Sequence, residues 1–147
     1  MLRGRRLLRQ SQSAATRLAQ LSDALARYFA SGEWDCGIAL DYEGIPEWRR
    51  RVYETLRRVP PGKTISYGAL ADAAGMPGSA RAVGAAMRMN RHLILVPCHR
   101  VVAADGSLCG FSAGIETKRA LLALEGVPLN NDRVPFDFMI RLDGRTK

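Results

Sequence analysis

Cys98 and His99 are the adjacent residues of this chain best suited to do chemistry, because they set a thiol beside an imidazole inside the apolar run 94–102 (ILVPCHRVV). Pro97 cannot donate to a sheet ladder, so the sequence predicts an irregular kink at the cysteine. Neighbouring side chains of an extended segment point to opposite faces. A bridging water or a local turn must therefore carry any proton between Cys98 and His99.

A cysteine attacks as the thiolate, which is scarce unless a base or a helix N-terminus activates it. His99 is the candidate base. The same two residues also fit a structural reading, in which Cys98 is a small buried side chain and His99 is a satisfied core or surface histidine. Residue types alone leave both readings open.

The composition is that of a globular chain of about one domain, with 147 residues, 47% of them apolar and 24% charged. These fractions argue against a disordered protein. The formal net charge of +8 indicates a polyanionic partner such as nucleic acid, although it also fits a protein that is merely soluble.

The three cysteines, Cys36, Cys98 and Cys109, are odd in number and lack CxxC spacing, which argues against a disulfide scaffold or a closed zinc site. We therefore expect a reducing interior and treat Cys109 as buried filler. No apolar stretch is long enough to span a membrane, and residues 2–9 (LRGRRLLR) are too basic and too short for a signal-peptide core. We expect neither secretion nor a membrane partner.

The N-terminal part is predicted to hold three elements. Residues 1–12 are basic and polar, which indicates a frayed tail or an auxiliary electrostatic contact. Apolar residues recur at helical spacing over residues 14–30, and the helix is expected to end near Gly32. Residues 36–42 alternate enough to predict a short strand.

The middle of the chain predicts a helix-turn-helix. Helical spacing over residues 46–58 is followed by a Pro-Pro-Gly break, after which Ser66 is a plausible N-cap for a helix over 67–74. A turn at 75–78 leads into a second helix over 79–89. Two short helices joined by a turn containing glycine are typical of a DNA-binding unit.

The second helix is rich in small residues, with Arg81 as a long cation among them. Small side chains allow close approach to a narrow groove, and they equally permit tight helix packing. The small residues are Ala80, Ala82, Gly84, Ala85 and Ala86. From the residue types alone, a solvated helix arginine is the preferred reading of Arg81.

Four blocks of sequence, in this order along the chain, resemble the O6-alkylguanine-DNA alkyltransferases (methylated-DNA–protein-cysteine methyltransferases). They are 60–70 (PPGKTISYGAL), 78–90 (GSARAVGAAMRMN), 97–102 (PCHRVV) and 106–126 (GSLCGFSAGIETKRALLALEG). A short signature alone would be weak, whereas four blocks in the family's order and spacing are specific. The resemblance covers residues 48–126.

The resemblance implies an α/β fold, with a mostly helical C-terminal alkyltransferase domain that carries the helix-turn-helix and short strands. The DNA-binding and catalytic domain would span residues 44–126. Residues 1–43 (tail, helix and strand) look like a truncated version of the family's larger N-terminal domain. Residues 127–147 form a C-terminal tail without a motif.

The resemblance also implies the chemistry. Cys98 would receive the alkyl group from O6 of guanine, with O4-alkylthymine as a possible second substrate, and the stable thioether would limit each molecule to one turnover. His99 would take the thiol proton through a water, and Glu125 would orient His99. Asn90 would tie the helix-turn-helix to the active-site segment, where this chain has Arg91 instead of the usual proline. We expect neither a metal nor an organic cofactor.

The partner implied is double-stranded DNA containing alkylated guanine, bound by a monomer through the minor groove. Guanine O6 lies inside the duplex, so the base must be extruded at a cost of a few kcal/mol. By resemblance, Arg81 fills the vacated space, while Ala82 and Ala85 lie on the same DNA-binding helix. Tyr67 would crowd the neighbouring phosphate and donate its hydroxyl hydrogen to guanine N3. Tyr67 also fits a core aromatic residue.

The pocket expected for the flipped base involves both backbone and side chains. The carbonyls of Cys98 and Val101 would accept from the guanine amino group, and the Ser112 amide would face O6. The family commonly reads Gly-Tyr-x-Gly-Gly in the lid, where this chain has Phe111 and Ala113. Phe111 keeps the apolar wall and lacks a hydroxyl, while Ala113 restricts the backbone.

Two other functions compete with transfer. Alkyltransferase-like proteins keep the DNA-binding unit, lack the reactive cysteine and flag lesions for other machinery; Cys98 argues against this class. A thiol redox sensor is the weaker alternative, and it predicts that Cys98 oxidises readily while lesion DNA leaves it unmodified. The expected location is the cytoplasm, or the nucleus if the source is eukaryotic.

Overall fold

The computed structural model describes residues 2–34 and 37–143. The backbone divides into two compact units, residues 1–41 and residues 42–147. Within the described residues, no helix is both long enough and apolar enough to cross a membrane.

The first unit is dominated by one long helix, α1 (Leu2–Ser31). It ends where predicted, since Gly32 adopts a left-handed φ of 73° and its amide donates to the Tyr28 carbonyl at 2.7 Å. Of the two alternatives for residues 1–12, the frayed tail is wrong for residues 2–12, because α1 begins at Leu2, and the auxiliary electrostatic contact stays a prediction. No proline interrupts this segment, and its leucines and arginines favour helix.

The predicted strand over residues 36–42 is also wrong. Residues 37–42 form neither strand nor helix, and Cys36 lies outside the described residues. A strand needs a hydrogen-bonded partner, and alternation in the sequence does not supply one. The two strands among the described residues, both in the second unit, pair with each other.

The second unit is mostly helical, with a small parallel sheet, as the fold class predicted. Its helices are α2 (Glu47–Arg57), α3 (Tyr67–Ala73), α4 (Ala80–Arg88) and α5 (Ile115–Leu124), and its strands are β1 (Ile65–Ser66) and β2 (Val101–Val102). The register pairs Ile65 with Val101 and Ser66 with Val102. Single 3₁₀ turns occupy Cys98–Arg100 and Phe136–Phe138.

Helix α2 supports the helix-turn-helix because its apolar residues recur on one face. Val52 and Leu56 are fully buried, and α2 packs on both α3 and α4. Burial of each side chain contributes about 1.5–3 kcal/mol. The Tyr53 hydroxyl donates to the Ala86 carbonyl of α4 at 2.8 Å. Helix α4 is therefore held by both packing and a buried hydrogen bond.

The helix-turn-helix forms with nearly the predicted bounds. The Ser66 hydroxyl accepts from the Ala69 amide at 3.1 Å, so the predicted N-cap of α3 is confirmed. Gly75 and Gly78, which both have positive φ, make the turn that leads to α4.

The segment after α5 packs onto this unit. Val127 and Val134 join Val102 and Leu122 in one buried cluster. Farther along, the amide of Thr64 donates to the Phe138 carbonyl at 2.8 Å. Residues 127–143 therefore help to hold β2, which directly follows the Cys98 turn.

Candidate active site

The backbone at Cys98 turns as the sequence predicted. Pro97 has φ −79° and ψ 65°, and Cys98–Arg100 form one 3₁₀ turn before β2. The Arg100 amide donates to the Pro97 carbonyl at 2.9 Å. Cys98 is only 3% exposed and His99 is fully buried. The thiol and the imidazole therefore lie on a tight turn inside the protein rather than along an extended strand.

Asn90, directly after α4, holds the cysteine. Its Nδ2 donates to the Val96 carbonyl at 2.9 Å and to Cys98 Sγ at 3.1 Å. Its Oδ1 accepts from the His92 amide at 2.9 Å. These bonds connect the end of the helix-turn-helix to the Cys98 turn, although Arg91 stands where the family usually has proline. The bond to sulfur also favours the thiolate.

His99 contacts Glu125, the C-terminal cap of α5. The distance from His99 Nε2 to Glu125 Oε1 is 2.7 Å. Arg100 binds the same carboxylate, with Nε 3.0 Å from Oε2 and Nη2 2.8 Å from Oε1. The Gly62 amide donates to Oε2 at 3.3 Å. The Glu125 side chain has no exposed surface, so these donors replace the water that it loses.

These hydrogen bonds, together with burial, determine the charges of His99 and Glu125 at neutral pH. Burial alone would raise the pKa of Glu125, but the hydrogen bonds from His99 and Arg100 lower it to about 2. Burial lowers the pKa of His99, and Glu125 only partly opposes that effect. At neutral pH the carboxylate is therefore ionised and the imidazole is neutral. Since Nε2 donates to Glu125, Nδ1 is the ring nitrogen able to take a proton.

Two weak acids near the site, the thiol of Cys98 and the phenol of Tyr67, stay protonated at neutral pH. Burial raises the pKa of the Cys98 thiol, while the Asn90 hydrogen bond and the charge of Lys118 oppose the rise. Burial, followed by the charges of Cys109 and Cys98, raises the pKa of Tyr67 to about 12. Cys98 consequently needs a base before it can attack, whereas Tyr67 is a durable hydrogen-bond donor.

Cys98 opens into a cavity of about 710 Å³ between the helix-turn-helix and the segment before α5. Its lining residues are Tyr67, Ala80, Arg81, Gly84, Met87, Arg88, Cys98, Cys109, Gly110, Phe111 and Ser112. The volume lies within the range of small-molecule sites. The cavity thus brings together the thiol, the Tyr67 side chain and the pocket-wall residues Phe111 and Ser112.

Not every expected residue lies at the cavity. Ala82 and Ala85 are half-buried on α4 and do not line it. Val101 is buried on β2, and its carbonyl accepts from Lys118 Nζ at 2.6 Å. Arg81 lines the cavity and is exposed, so its side chain is accessible from outside.

Sequence reasoning missed several residues of the site. Cys109 is half-buried and lines the cavity, so its interpretation as buried filler is wrong. Its position in the lid block, before Gly110, was the available signal. Arg100 and Lys118 are both fully buried. Neither could be found from spacing, because long cations are ordinarily on the surface.

Residues 47–127 match the family described as "6-O-methylguanine DNA methyltransferase, DNA binding domain". A Mycobacterium tuberculosis methylated-DNA–protein-cysteine methyltransferase is 45% identical over 115 residues, which cover 78% of this chain and 69% of that protein. A Shigella flexneri protein of the same name is 42% identical over 113 residues, covering 77% of this chain and 66% of its own length.

Among solved structures, the crystal structure of M. tuberculosis OGT in complex with DNA has a TM-score of 0.66 and 45% identity. That match covers 73% of this chain and 66% of the OGT chain, so the present chain spans about two thirds of the length of its relatives. The matched DNA-binding domain makes DNA the partner of this chain. The chain belongs to the methylated-DNA–protein-cysteine methyltransferase family, whose members repair DNA by alkyl transfer to a cysteine.

Proposed function

We propose that this chain removes the alkyl group from O6-alkylguanine in duplex DNA by transferring it irreversibly to Cys98. The observation that carries the proposal is the Cys98 thiol at the cavity, held by Asn90 at 3.1 Å and followed directly by the His99–Glu125 pair. A nucleophile, a base and a group that orients the base are the parts that covalent transfer requires.

The first step is deprotonation of the thiol. His99 Nδ1 takes the Cys98 proton through a bridging water, so the two side chains do not need to touch. Glu125 keeps the Nε2 tautomer in place and stabilises the imidazolium that forms, as the carboxylate does in nucleophile–histidine–acid triads. The Cys98 thiolate is then the attacking species.

The second step is direct displacement at the alkyl carbon. A bond forms between Cys98 Sγ and that carbon while the carbon–O6 bond breaks, and the bonding electrons leave with guanine. Tyr67 donates a hydrogen bond to N3, which stabilises the negative charge until guanine regains a proton from solvent. The Ser112 amide faces O6, and the Cys98 and Val101 carbonyls accept from the amino group. The thioether is stable, so each molecule acts once.

DNA binds through α4 in the minor groove. Arg81 enters the base stack in place of the extruded nucleotide, and the small residues Ala82 and Ala85 allow the helix to approach the groove closely. The net charge of +8 supports binding to the phosphate backbone. Affinity is therefore expected to fall with increasing salt concentration.

The remaining assignments complete the proposal. Residues 44–126 carry DNA binding and catalysis, residues 1–43 form the N-terminal region, and residues 127–147 form the C-terminal tail. The protein acts as a cytoplasmic monomer and needs no metal or organic cofactor, since thiol, base and carboxylate suffice for the displacement.

The test is intact-mass and peptide analysis after incubation with duplex DNA containing O6-methylguanine. We expect a mass increase for one methyl replacing a hydrogen, located on the peptide containing Cys98 and absent in Cys98→Ala. Cys109→Ala is the matched control, because both thiols line the cavity, and it should still be methylated. Methylation that persists in Cys98→Ala and is lost in Cys109→Ala would refute the assignment. Lesion binding without any mass change would favour a binding module.

A further inference from the structure

The C-terminal tail holds a tight turn, residues 130–133, to which the proposed reaction gives no role. The Asn130 amide donates to the Arg133 carbonyl at 2.9 Å, and the Arg133 amide donates to the Asn130 carbonyl at 3.0 Å. Between these two residues, Asn131 and Asp132 have positive φ values of 49° and 60°. Asparagine and aspartate are among the residues other than glycine that adopt this conformation most readily. The turn is therefore short and well defined, so it presents its polar groups at fixed positions.

The residues that lead into one wall of the cavity pair with this turn. The cavity wall, residues 109–112, lines the cavity and directly follows Leu108. The Leu108 amide donates to the Asp132 carbonyl at 3.0 Å, and the Val134 amide donates to the Gly106 carbonyl at 2.8 Å. A Cβ at Gly106 would overlap the Val134 carbonyl, so the two segments are in close contact. The C-terminal tail therefore holds the beginning of the cavity wall.

The Asp132 carboxylate binds the segment that follows the cavity wall. Arg119 of α5 donates from Nε to Asp132 Oδ1 at 2.8 Å and from Nη2 to Oδ2 at 2.6 Å. The wall ends at Ser112, and α5 begins shortly afterwards at Ile115. Two parallel hydrogen bonds between a guanidinium and a carboxylate fix direction as well as distance. Asp132 therefore binds both ends of the wall, with its carbonyl before the wall and its carboxylate after it.

Asp132 differs in this respect from the next residue of the turn. The Arg133 guanidinium binds the Asp105 carboxylate, which lies before the cavity wall only. Neither Asp132 nor Arg119 lines the cavity, and their side chains are 56% and 33% exposed. An ion pair with this exposure contributes little to the free energy of unfolding. Its effect should therefore appear in the local position of the wall rather than in the folding of the protein.

Resting on the proposed function, we propose that Asp132 is a positioning residue for the transfer, which ties both ends of the cavity wall to the C-terminal tail. The wall carries Phe111 and Ser112 and shares the cavity with the Cys98 thiol. A displaced wall changes the position of the flipped base relative to Cys98 Sγ, and the rate of a displacement depends steeply on that geometry. Asp132 thus acts on the reaction through the wall, without touching the substrate.

The test compares variants that change the Asp132 side chain but keep its backbone conformation. Asp132→Gly removes the carboxylate, and glycine adopts positive φ without strain. Asp132→Asn keeps an oxygen that can accept from Arg119. Asn131→Gly is the matched control, because Asn131 is exposed, also has positive φ and carries no charge.

Two measurements are made on the same folded proteins. Single-turnover transfer from O6-methylguanine duplex, over a series of DNA concentrations, gives the apparent Kd and the maximal transfer rate. Iodoacetamide labelling of Cys109, followed by peptide mass, reports on the cavity wall itself, because Cys109 is half-buried within it. A merely structural role of Asp132 would alter thermal stability and leave both measurements unchanged.

We expect Asp132→Gly to lower the maximal transfer rate and to speed Cys109 labelling, each by about fivefold, the upper end of what a partly exposed ion pair contributes. The apparent Kd for the duplex should equal that of the wild type, because α4 is unchanged. Asp132→Asn should retain most of the wild-type transfer rate, and Asn131→Gly should retain all of it.

An unchanged transfer rate in folded Asp132→Gly, or an equal loss in Asn131→Gly, would overturn the proposal. If Asp132→Gly does not fold, Arg119→Ala removes the same ion pair from the α5 side, and an unchanged transfer rate in that variant would overturn the proposal instead. Absence of transfer in the wild type, with faster Cys109 labelling in Asp132→Gly, would refute the proposed function alone.

Discussion

Replacing Glu125 by Gln should separate the electrostatic role of this carboxylate from its packing. The Glu125 side chain has no exposed surface and is bound by His99 and Arg100. Gln keeps the shape and a carbonyl oxygen, but it leaves Arg100 buried without a counter-charge. Removing one partner of a buried ion pair costs about 3–5 kcal/mol. We therefore expect Glu125→Gln to be strongly destabilised at neutral pH.

The pH dependence of stability gives an independent value for the free energy that the Glu125 carboxylate contributes. The carboxyl pKa falls from an ordinary value of 4.5 to about 2 on folding. At about 1.4 kcal/mol per pH unit, this difference corresponds to about 3 kcal/mol of stability. Because the folded-state pKa is the lower one, that stability is fully present above pH 4.5 and is lost as the pH falls towards 2. The two routes give the same order of magnitude.

The assay is urea unfolding of the wild type and Glu125→Gln at a series of pH values from neutral to about 2. The free-energy difference between the two proteins should shrink as the pH falls below 4.5. Asp105→Asn is the control, because Asp105 also has a pKa lowered to about 2, by hydrogen bonds from Ser107, but is exposed. Its difference from the wild type should remain small throughout.

Parallel stability curves for the wild type and Glu125→Gln across this interval would refute the reasoning. Such a result would mean that Glu125 titrates alike in the folded and unfolded states. The lowered pKa of His99 also makes stability fall below about pH 6.5, its ordinary value. That decrease begins at a higher pH, about 6.5, than the decrease that Glu125 causes, which begins at about 4.5.

Three further predictions test other parts of the site. Gly106→Ala should lower the free energy of unfolding by more than about 2 kcal/mol, because a Cβ would overlap the Val134 carbonyl. Gly75→Ala is the control: its Cβ would enter open space, so only the positive φ should cost stability, about 1–2 kcal/mol. Urea unfolding measures both free energies. Asn90→Ala should slow iodoacetamide labelling of Cys98 near neutral pH, with the difference disappearing in strong alkali, because the hydrogen bond to sulfur is lost. Arg81→Ala should weaken binding to lesion duplex in a titration and leave that labelling unchanged.

The local elements of the second unit could be predicted because their signals are local. Helical spacing defined α2, and the Ser66 cap and the glycines of the turn fixed α3 and α4 to within about a residue. The kink at Cys98 followed from Pro97, which cannot take part in a ladder. Each of these features depends on residues fewer than five positions apart.

The remaining features depend on contacts between distant parts of the chain. The parallel pair of β1 and β2 joins residues 36 positions apart, and Glu125 Oε1 meets a histidine 26 positions earlier. Burial of Lys118 and Arg100 likewise requires carbonyls from other segments. Periodicity carries no information about such contacts, so a long cation in a helix is assigned to the surface by default.

On the proposed mechanism, the reaction must create charges on Cys98 and His99 in a buried site, and the polar groups around the site stabilise these charges. Proton transfer from Cys98 to His99 separates charge where burial disfavours both charged forms. Glu125, 2.7 Å from the imidazole, is already ionised and stabilises the imidazolium. The Asn90 hydrogen bond to Sγ, at 3.1 Å, and the charge of Lys118 oppose the burial that raises the pKa of the thiol. Each new charge therefore meets a stabilising group that is fixed in advance, so the step needs little reorganisation. Solvent exclusion and reactivity are compatible here because these groups are in place before the thiol ionises.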